Sequence, residues 1–411
     1  VLTHRTECMI TVHPKPAEYI MKKTLTRISG LPRDFVLFIM AVALFGFSQS
    51  IVNAVFNNYL SESFSLGNLQ RGMLELPREL PGFLVVFFSA AFFFLSGRRL
   101  AALANLLAAA GIILIGAFPG GLPLMLVWLF IFSSGLHIFL PLNQSIGMEF
   151  AVPGKAGKRL GQLTGAMNFA AIAGSFLIFA GFKYLGFDFL VSFCIAAAGF
   201  FAAAVCLFVM KPDEPRPALT NFTLRREYGL YYWLTILYGT RKQIFLTFAP
   251  WVLVTVFNQK TEILATLLTI GGIIGIFFNP LLGRAIDRMG ERFILMAEAV
   301  ILIVICLGYG FSRSLVGEKP ALVIVSVCFI IDQLLMSVSM ARATYMKKIA
   351  VRPEDVSQTL AMGVTIDHIF SISIALVSGI IWMKLGYQYV FLLGAVIASV
   401  NLVSASRIRT S

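Results

Sequence analysis

Gly283 to Arg292 reads GRAIDRMGER, a short basic stretch between two apolar runs, 262–281 and 293–311. Each run is about the 20 residues that a helix needs to cross a hydrocarbon core of about 30 Å. The stretch between them is expected as a polar turn. Its glycines at 283 and 290 allow close backbone approach, while Asp287, Arg288 and Arg292 supply charge at the ends of two apolar helices.

The same alternation of apolar run and polar turn fills the chain of 411 residues, of which 58% are hydrophobic and only 13% charged, with a mean hydropathy of +0.85. This is a membrane composition. Alternating ten-residue strands of the membrane-barrel type are absent, so the spans are helices. Twelve are expected, at about 34–60, 71–95, 100–118, 122–149, 160–182, 189–210, 228–257, 262–281, 293–311, 321–346, 358–383 and 389–406.

The net charge of +13 does not point to nucleic acid, because the bases sit in short loops rather than on one soluble face. They are unevenly shared between the two sides. One side holds only Lys183, Lys260, Arg313, Lys319 and Lys384, and the rest, such as Arg98, Arg99, Lys155, Lys158, Arg159, Arg288 and Lys347, fall on the other. The positive-inside rule therefore places both termini in the cytoplasm, in a cell membrane. On that topology the sequon Asn221-Phe222-Thr223 is a chance match on the cytoplasmic side. Residues 1–30 are polar and carry no signal-peptide pattern, and Met21-Lys22-Lys23 reads as a start, with the preceding residues an overextended translation.

Residues 211–227, with Pro212, Pro215 and Pro217, divide the spans into 31–210 and 228–406, leaving a tail at 407–411. Leu185-Gly186-Phe187 before span 6 is echoed by Leu385-Gly386-Tyr387 before span 12, and Leu44-Phe45-Gly46 in span 1 by Leu237-Tyr238-Gly239 in span 7. The chain is thus expected to be an all-α membrane protein of two pseudo-symmetric six-helix bundles, a transporter arrangement with its site between them. In that architecture, and in the spacing of Gly283, Asp287, Arg288, Gly290 and Arg292, the chain resembles the major facilitator superfamily. The resemblance implies two bundles rocking about a cavity lined by spans 1, 4, 7 and 10. It also implies that the 283–292 loop gates, with Asp287 meeting the start of span 5 near Arg159 to Gln162. The first-half counterpart, Ser96-Gly97-Arg98-Arg99-Leu100, has no Asp, and span 5 reads GSFLIFAG over Gly174–Gly181, without the Gly-Pro signature of drug antiporters.

Ionisable groups at membrane depth are costly and so mark function or structural pairing. Span 7 carries Arg241 and Lys242, either an anion-recognising pair or partners for Asp332 and Asp367. In span 2, Glu75, Arg78 and Glu79 form either a proton carrier or a self-neutralised knot. Gln49, Asn53 and Asn57 make a polar stripe at i, i+4, i+8 on span 1, whose first two members read as solute contacts or as glue between helices. His137 in span 4 reads as a solute contact or proton acceptor, or else as a hydrogen-bonded packing residue, and His368 beside Asp367 in span 11 belongs with the groups for proton relay or charge pairing.

Gly154–Arg159 has neither the Ser or Thr nor the glycine that a phosphate loop needs, and no HExxH or GxSxG occurs. The scattered cysteines have no ligand spacing. The reading therefore assigns no catalytic residue, no metal and no cofactor. It expects a monomer in the lipid bilayer that moves a small polar solute, either neutral or anionic, with a proton or other ion. An exporter of amphipathic compounds, or a receptor or scaffold that does not transport, are the alternatives.

Overall fold

The computed structural model describes residues 32–92, 94–118, 120–151, 156–213 and 225–408. The sequon, Met21 and the last residues of the tail lie outside them. Among the described residues there is no β-strand, and the helices are α1 (Arg33–Phe64), α2 (Asn68–Met73), α3 (Glu75–Ala91), α4 (Gly97–Ala117), α5 (Leu122–Glu149), α6 (Ala156–Tyr184), α7 (Phe189–Val209), α8 (Gly229–Thr255), α9 (Thr261–Val316), α10 (Glu318–Leu335), α11 (Ser339–Ile349), α12 (Pro353–Leu385) and α13 (Tyr387–Ala405).

Nine helical stretches among the described residues are long and apolar enough to cross a membrane. Fewer qualify than the sequence predicts, for local reasons. The predicted span 2 is split, because Pro77 cannot donate to the Met73 carbonyl and α2 gives way to α3 at Leu74. Helix α8 is weighted down by its tyrosines, Arg241 and Lys242. Spans 8 and 9 run together as α9, 56 residues long, interrupted only at Gly290, where φ is 78° and ψ 160°.

That last feature corrects the reading of 283–292 as a turn. Arg284 to Met289 contain neither proline nor glycine and include the good helix formers Arg284, Ala285, Arg288 and Met289, so α9 continues through Asp287 and changes direction only at Gly290, in backbone space that is essentially reserved for glycine.

Helix α1 packs on α6 and α7, and α4 on α5 and α7. In the second part, α9 packs on α10 and α13, and α8 on α12 and α13. Small residues permit the closest approaches, as where Gly135 of α5 faces the backbone of Ala104 and Ala108 of α4. Aromatic clusters fill the two interiors: Phe45 against Phe139 and Phe200, and Tyr309 stacked on Phe391 at 4.6 Å beside Phe245. The parts meet along α6 with α9, and along α2 and α3 with α12.

One end of the molecule gathers the starts of α1 and α4 with the end of α5, through Arg98 bonded to Asp34 (3.0 Å) and Glu149 (3.2 Å). There too the start of α8 meets that of α12, through Arg225 and Asp355 (3.2 Å). At this basic end, Gly161, Gly165 and Gly283 have open space around them. At the opposite end the parts are bonded to each other: Asn58 Nδ2 donates to the Gln259 carbonyl (2.9 Å), Trp251 Nε1 donates to Asn68 (3.0 Å), and Gly72 lies against the Ala375 carbonyl. Among the described residues the hydrogen bonds between the parts lie toward this far end and hold it shut.

Candidate functional site

Below that closed end, α3, α8 and α12 bring their charged residues into one buried layer. Glu75, fully buried, receives bonds from Arg71 (2.6 Å), from Arg78 (2.9 Å) and, across the junction, from Gln243 of α8 (2.8 Å). Arg71 also donates to Asn57 Oδ1 from two nitrogens, at 3.1 and 3.3 Å. With three donors around its two oxygens, Glu75 has the arrangement of the self-neutralised knot.

One turn further toward the basic end, Glu79 accepts from Arg78 (3.4 Å) and meets His368 Nδ1 of α12 at 2.8 Å. Among the described residues this is the hydrogen bond between the two parts that lies nearest the basic end. The His137 ring stands against the His368 ring, centroids 4.9 Å apart at 71°. Ser133 holds His137 from one turn away, its carbonyl 2.9 Å and its Oγ 3.0 Å from Nδ1, while the same hydroxyl donates to the Arg78 carbonyl. Glycine at 82 is what admits both rings: a Cβ there would lie 2.6 Å from His368 and 2.7 Å from His137.

On the α8 side, Arg241 bonds Asp332 at 2.5 Å and Glu298 at 3.4 Å, Arg342 bonds Glu298 at 3.2 Å, and Lys242 bonds Asp367. The three cations surround the Tyr238 ring, Arg342 at 3.6 Å, Arg241 at 5.5 Å and Lys242 at 5.7 Å from its centroid. The structure thus takes the pairing alternative for Arg241 and Lys242, and neither is presented as a free anion-binding group. Five bases, Arg71, Arg78, Arg241, Lys242 and Arg342, meet five acids, Glu75, Glu79, Glu298, Asp332 and Asp367. Such pairing is what makes buried charge tolerable.

Gln49 is half-buried and Asn53 exposed, on the same helical face as Asn57 but toward the basic end, and neither is bonded into the network. Asp287, Arg288 and Arg292 are exposed. The expected contact of Asp287 with the start of span 5 is not made in this conformation: Arg159 turns to the Phe150 carbonyl (3.0 Å) and to Gln162 (3.0 Å). Sequence reasoning overlooked Arg71 and Glu298. Glu298 is a lone acid in the middle of an apolar run, a signal that was there to be read. Arg71 had the weaker signal of standing four residues before Glu75.

The chain is similar to solved membrane transporters over nearly all of its length. The nucleoside transporter NupG superimposes with a TM-score of 0.74 at 14% identity, covering 92% of this chain and 100% of that one. A peptide transporter of the POT type follows at 0.70 and 14%, covering 92% and 95%, and a D-xylose-proton symporter at 0.68 and 13%, covering 91% and 97%. At these identities the likeness shows the fold alone. No curated protein sequence matches the chain. The sequence profile of the Major Facilitator Superfamily, however, matches residues 38–350, well over half of the chain, and with the helical architecture above it establishes that the chain belongs to that superfamily.

Proposed function

We propose that this transporter moves a small polar solute by alternating access, coupled to protons through Glu79 and His368. In this reading the chain crosses a cell membrane twelve times, in six-helix halves at 31–210 and 228–406 joined by 211–227, with both termini cytoplasmic. It works as a monomer and is not an enzyme. The observation that carries the reading is the 2.8 Å contact of Glu79 with His368, a titratable pair that joins the two halves.

With Glu79 ionised, its charge holds Arg78 and His368, and the far end stays shut. A proton on Glu79 removes that attraction and favours release of α12 from α3, opening the far end and closing the basic end. Solute binding between the halves, against Gln49 and Asn53 of α1, selects which protonation states cycle. Because Arg241 and Lys242 are ion-paired, the solute fits best if it carries no net negative charge. For an anionic solute the free donor is Arg342 Nη2, buried without a hydrogen-bond partner on a guanidinium whose Nη1 pairs with Glu298.

The experiment is solute-driven acidification of proteoliposomes loaded with a pH-sensitive dye, screening nucleosides, pentoses and short peptides, the solute classes named for the similar structures. At least one solute should acidify the lumen. In Glu79→Gln that acidification should vanish while solute exchange at equal concentrations persists. Undiminished acidification in Glu79→Gln would refute the proton assignment.

A further inference from the structure

The cluster that joins the halves has the composition of a metal centre as well as that of a proton site. One carboxylate oxygen of Glu79 and one nitrogen each of His137 and His368 lie within 4.8 Å of one another. The Glu79 and His368 atoms are 2.8 Å apart, a hydrogen-bond distance that has to widen by about 0.6 Å for two ligands that each sit about 2.1 Å from a tetrahedral ion. The Ser133 carbonyl assigns the His137 proton to Nδ1 and leaves the Nε2 lone pair free, the arrangement in which a second group fixes the tautomer of a ligating histidine. Of the two Glu79 oxygens, Oε1 faces Arg78 and Oε2 faces His368, so an ion on the His368 side leaves the arginine contact in place. Gly82 seats both rings without a side chain between them. His137 is only half-buried, which gives an ion a way in.

We infer that Glu79, His137 and His368 bind one divalent transition-metal ion of the zinc and cobalt type, which staples α3 and α5 of the first half to α12 of the second. Two imidazoles and a carboxylate favour these ions over magnesium or calcium, which prefer all-oxygen shells. Three protein ligands leave a coordination position for water. The ion takes the place of the proton between Glu79 and His368. From a doubly protonated His368 that proton leaves to solvent, and in a neutral His368 it moves to Nε2. Metal and proton therefore compete, and binding weakens as pH falls. The staple closes the far end, so a bound ion stops the cycle. This last consequence rests on the transport reading, whereas binding does not.

The test uses the full chain, purified without a histidine tag, with His4 and His13 changed to Ala and every cysteine to Ser. Of the four histidines of the chain, only His137 and His368 then remain. Cu2+ bound to this protein should give nitrogen hyperfine structure from two imidazoles in electron paramagnetic resonance. Co2+ should give a saturable visible band at a 1:1 ratio and raise the melting temperature, and Zn2+ should displace it. His137→Gln and His368→Gln should each weaken Co2+ binding at least about tenfold, or 1.4 kcal/mol. The copper spectrum needs neither variant, so a variant that fails to fold leaves the test intact. Absence of imidazole hyperfine structure, or Co2+ binding unchanged in both variants, would overturn the site. Co2+ bound as expected by a protein that transports no solute would overturn the transport reading and leave the site standing.

Discussion

Glu75 takes three hydrogen bonds from Arg71, Arg78 and Gln243 and is shut away from solvent, so its negative charge has no substitute nearby. Glu75→Gln leaves the cations of this layer in excess and should lower stability by about 3–5 kcal/mol, read as a large fall in the melting temperature in detergent. Gln49→Ala, on a half-buried side chain outside the network, should change stability by less than about 0.5 kcal/mol. Under the proposed function it should instead raise the KM for the solute. A Gln49→Ala protein that melts as low as Glu75→Gln would contradict both assignments. At this scale the sequence was partly legible. The bases of span 7 and the acids of spans 10 and 11 stood out as expensive groups in need of partners, and Arg241–Asp332 and Lys242–Asp367 are two of the pairs it allowed. The contact of Glu79 with His368 was not legible, because no helical spacing relates residues 289 positions apart.

Helix α9 shows what the sequence withheld at the scale of an element. A cluster of charge between apolar runs looks like a loop, but charge does not end a helix, and only a residue able to adopt positive φ does so here. The two glycines of the 283–292 stretch are therefore unequal. Gly290→Ala forces a side chain into glycine-only backbone and should cost about 1–3 kcal/mol. Gly283→Ala, in helical backbone with open space around it, should be neutral or stabilise by up to about 1 kcal/mol. Equal melting temperatures for the two variants would argue against the bend at Gly290. Just beyond it, Glu291 bonds Lys348 of α11 at 2.9 Å. Burial raises the affinity of Glu291 for a proton, but the Lys348 bond and charge outweigh it and hold the carboxyl below the usual range. A carboxyl depressed by folding stabilises the folded state above its unfolded pKa, about 4.3, and loses that contribution as pH falls through the folded value. The melting-temperature gap between the parent and Glu291→Gln should therefore be constant above about pH 5 and narrow below about pH 4. A gap independent of pH would show that the Lys348 bond is not what Glu291 contributes.

For the whole molecule, the apolar runs made the helices legible, and the weak repeat made two halves legible, but which end is closed depends on contacts that only the assembled helices create. Gly72 of α2 is the tightest of these at the far end: a Cβ there would lie 2.5 Å from the Ala375 carbonyl and 3.3 Å from the Gly379 Cα. Gly72→Val drives a wedge between α2 and α12, and because neither contact is the end of a flexible side chain, the strain is relieved by parting the helices. The conformation seen here should lose population to one open at the far end. Between states separated by a few kcal/mol, a bias of about 1.4 kcal/mol changes their ratio tenfold. Asp287→Asn should act in the other direction. Asp287 has no bonded partner among the described residues in this state, so the substitution leaves it unaffected and removes a contact only if the carboxylate docks at the start of α6 when the basic end closes. A reporter cysteine at Gly161, in open space at the basic end of α6, reads both effects in an otherwise cysteine-free protein. Its rate of maleimide labelling should fall in Gly72→Val and rise or hold in Asp287→Asn. A labelling rate that Gly72→Val leaves unchanged would mean that the α2–α12 contact does not hold the far end shut, and a rate that falls in Asp287→Asn would remove the latch from the mechanism.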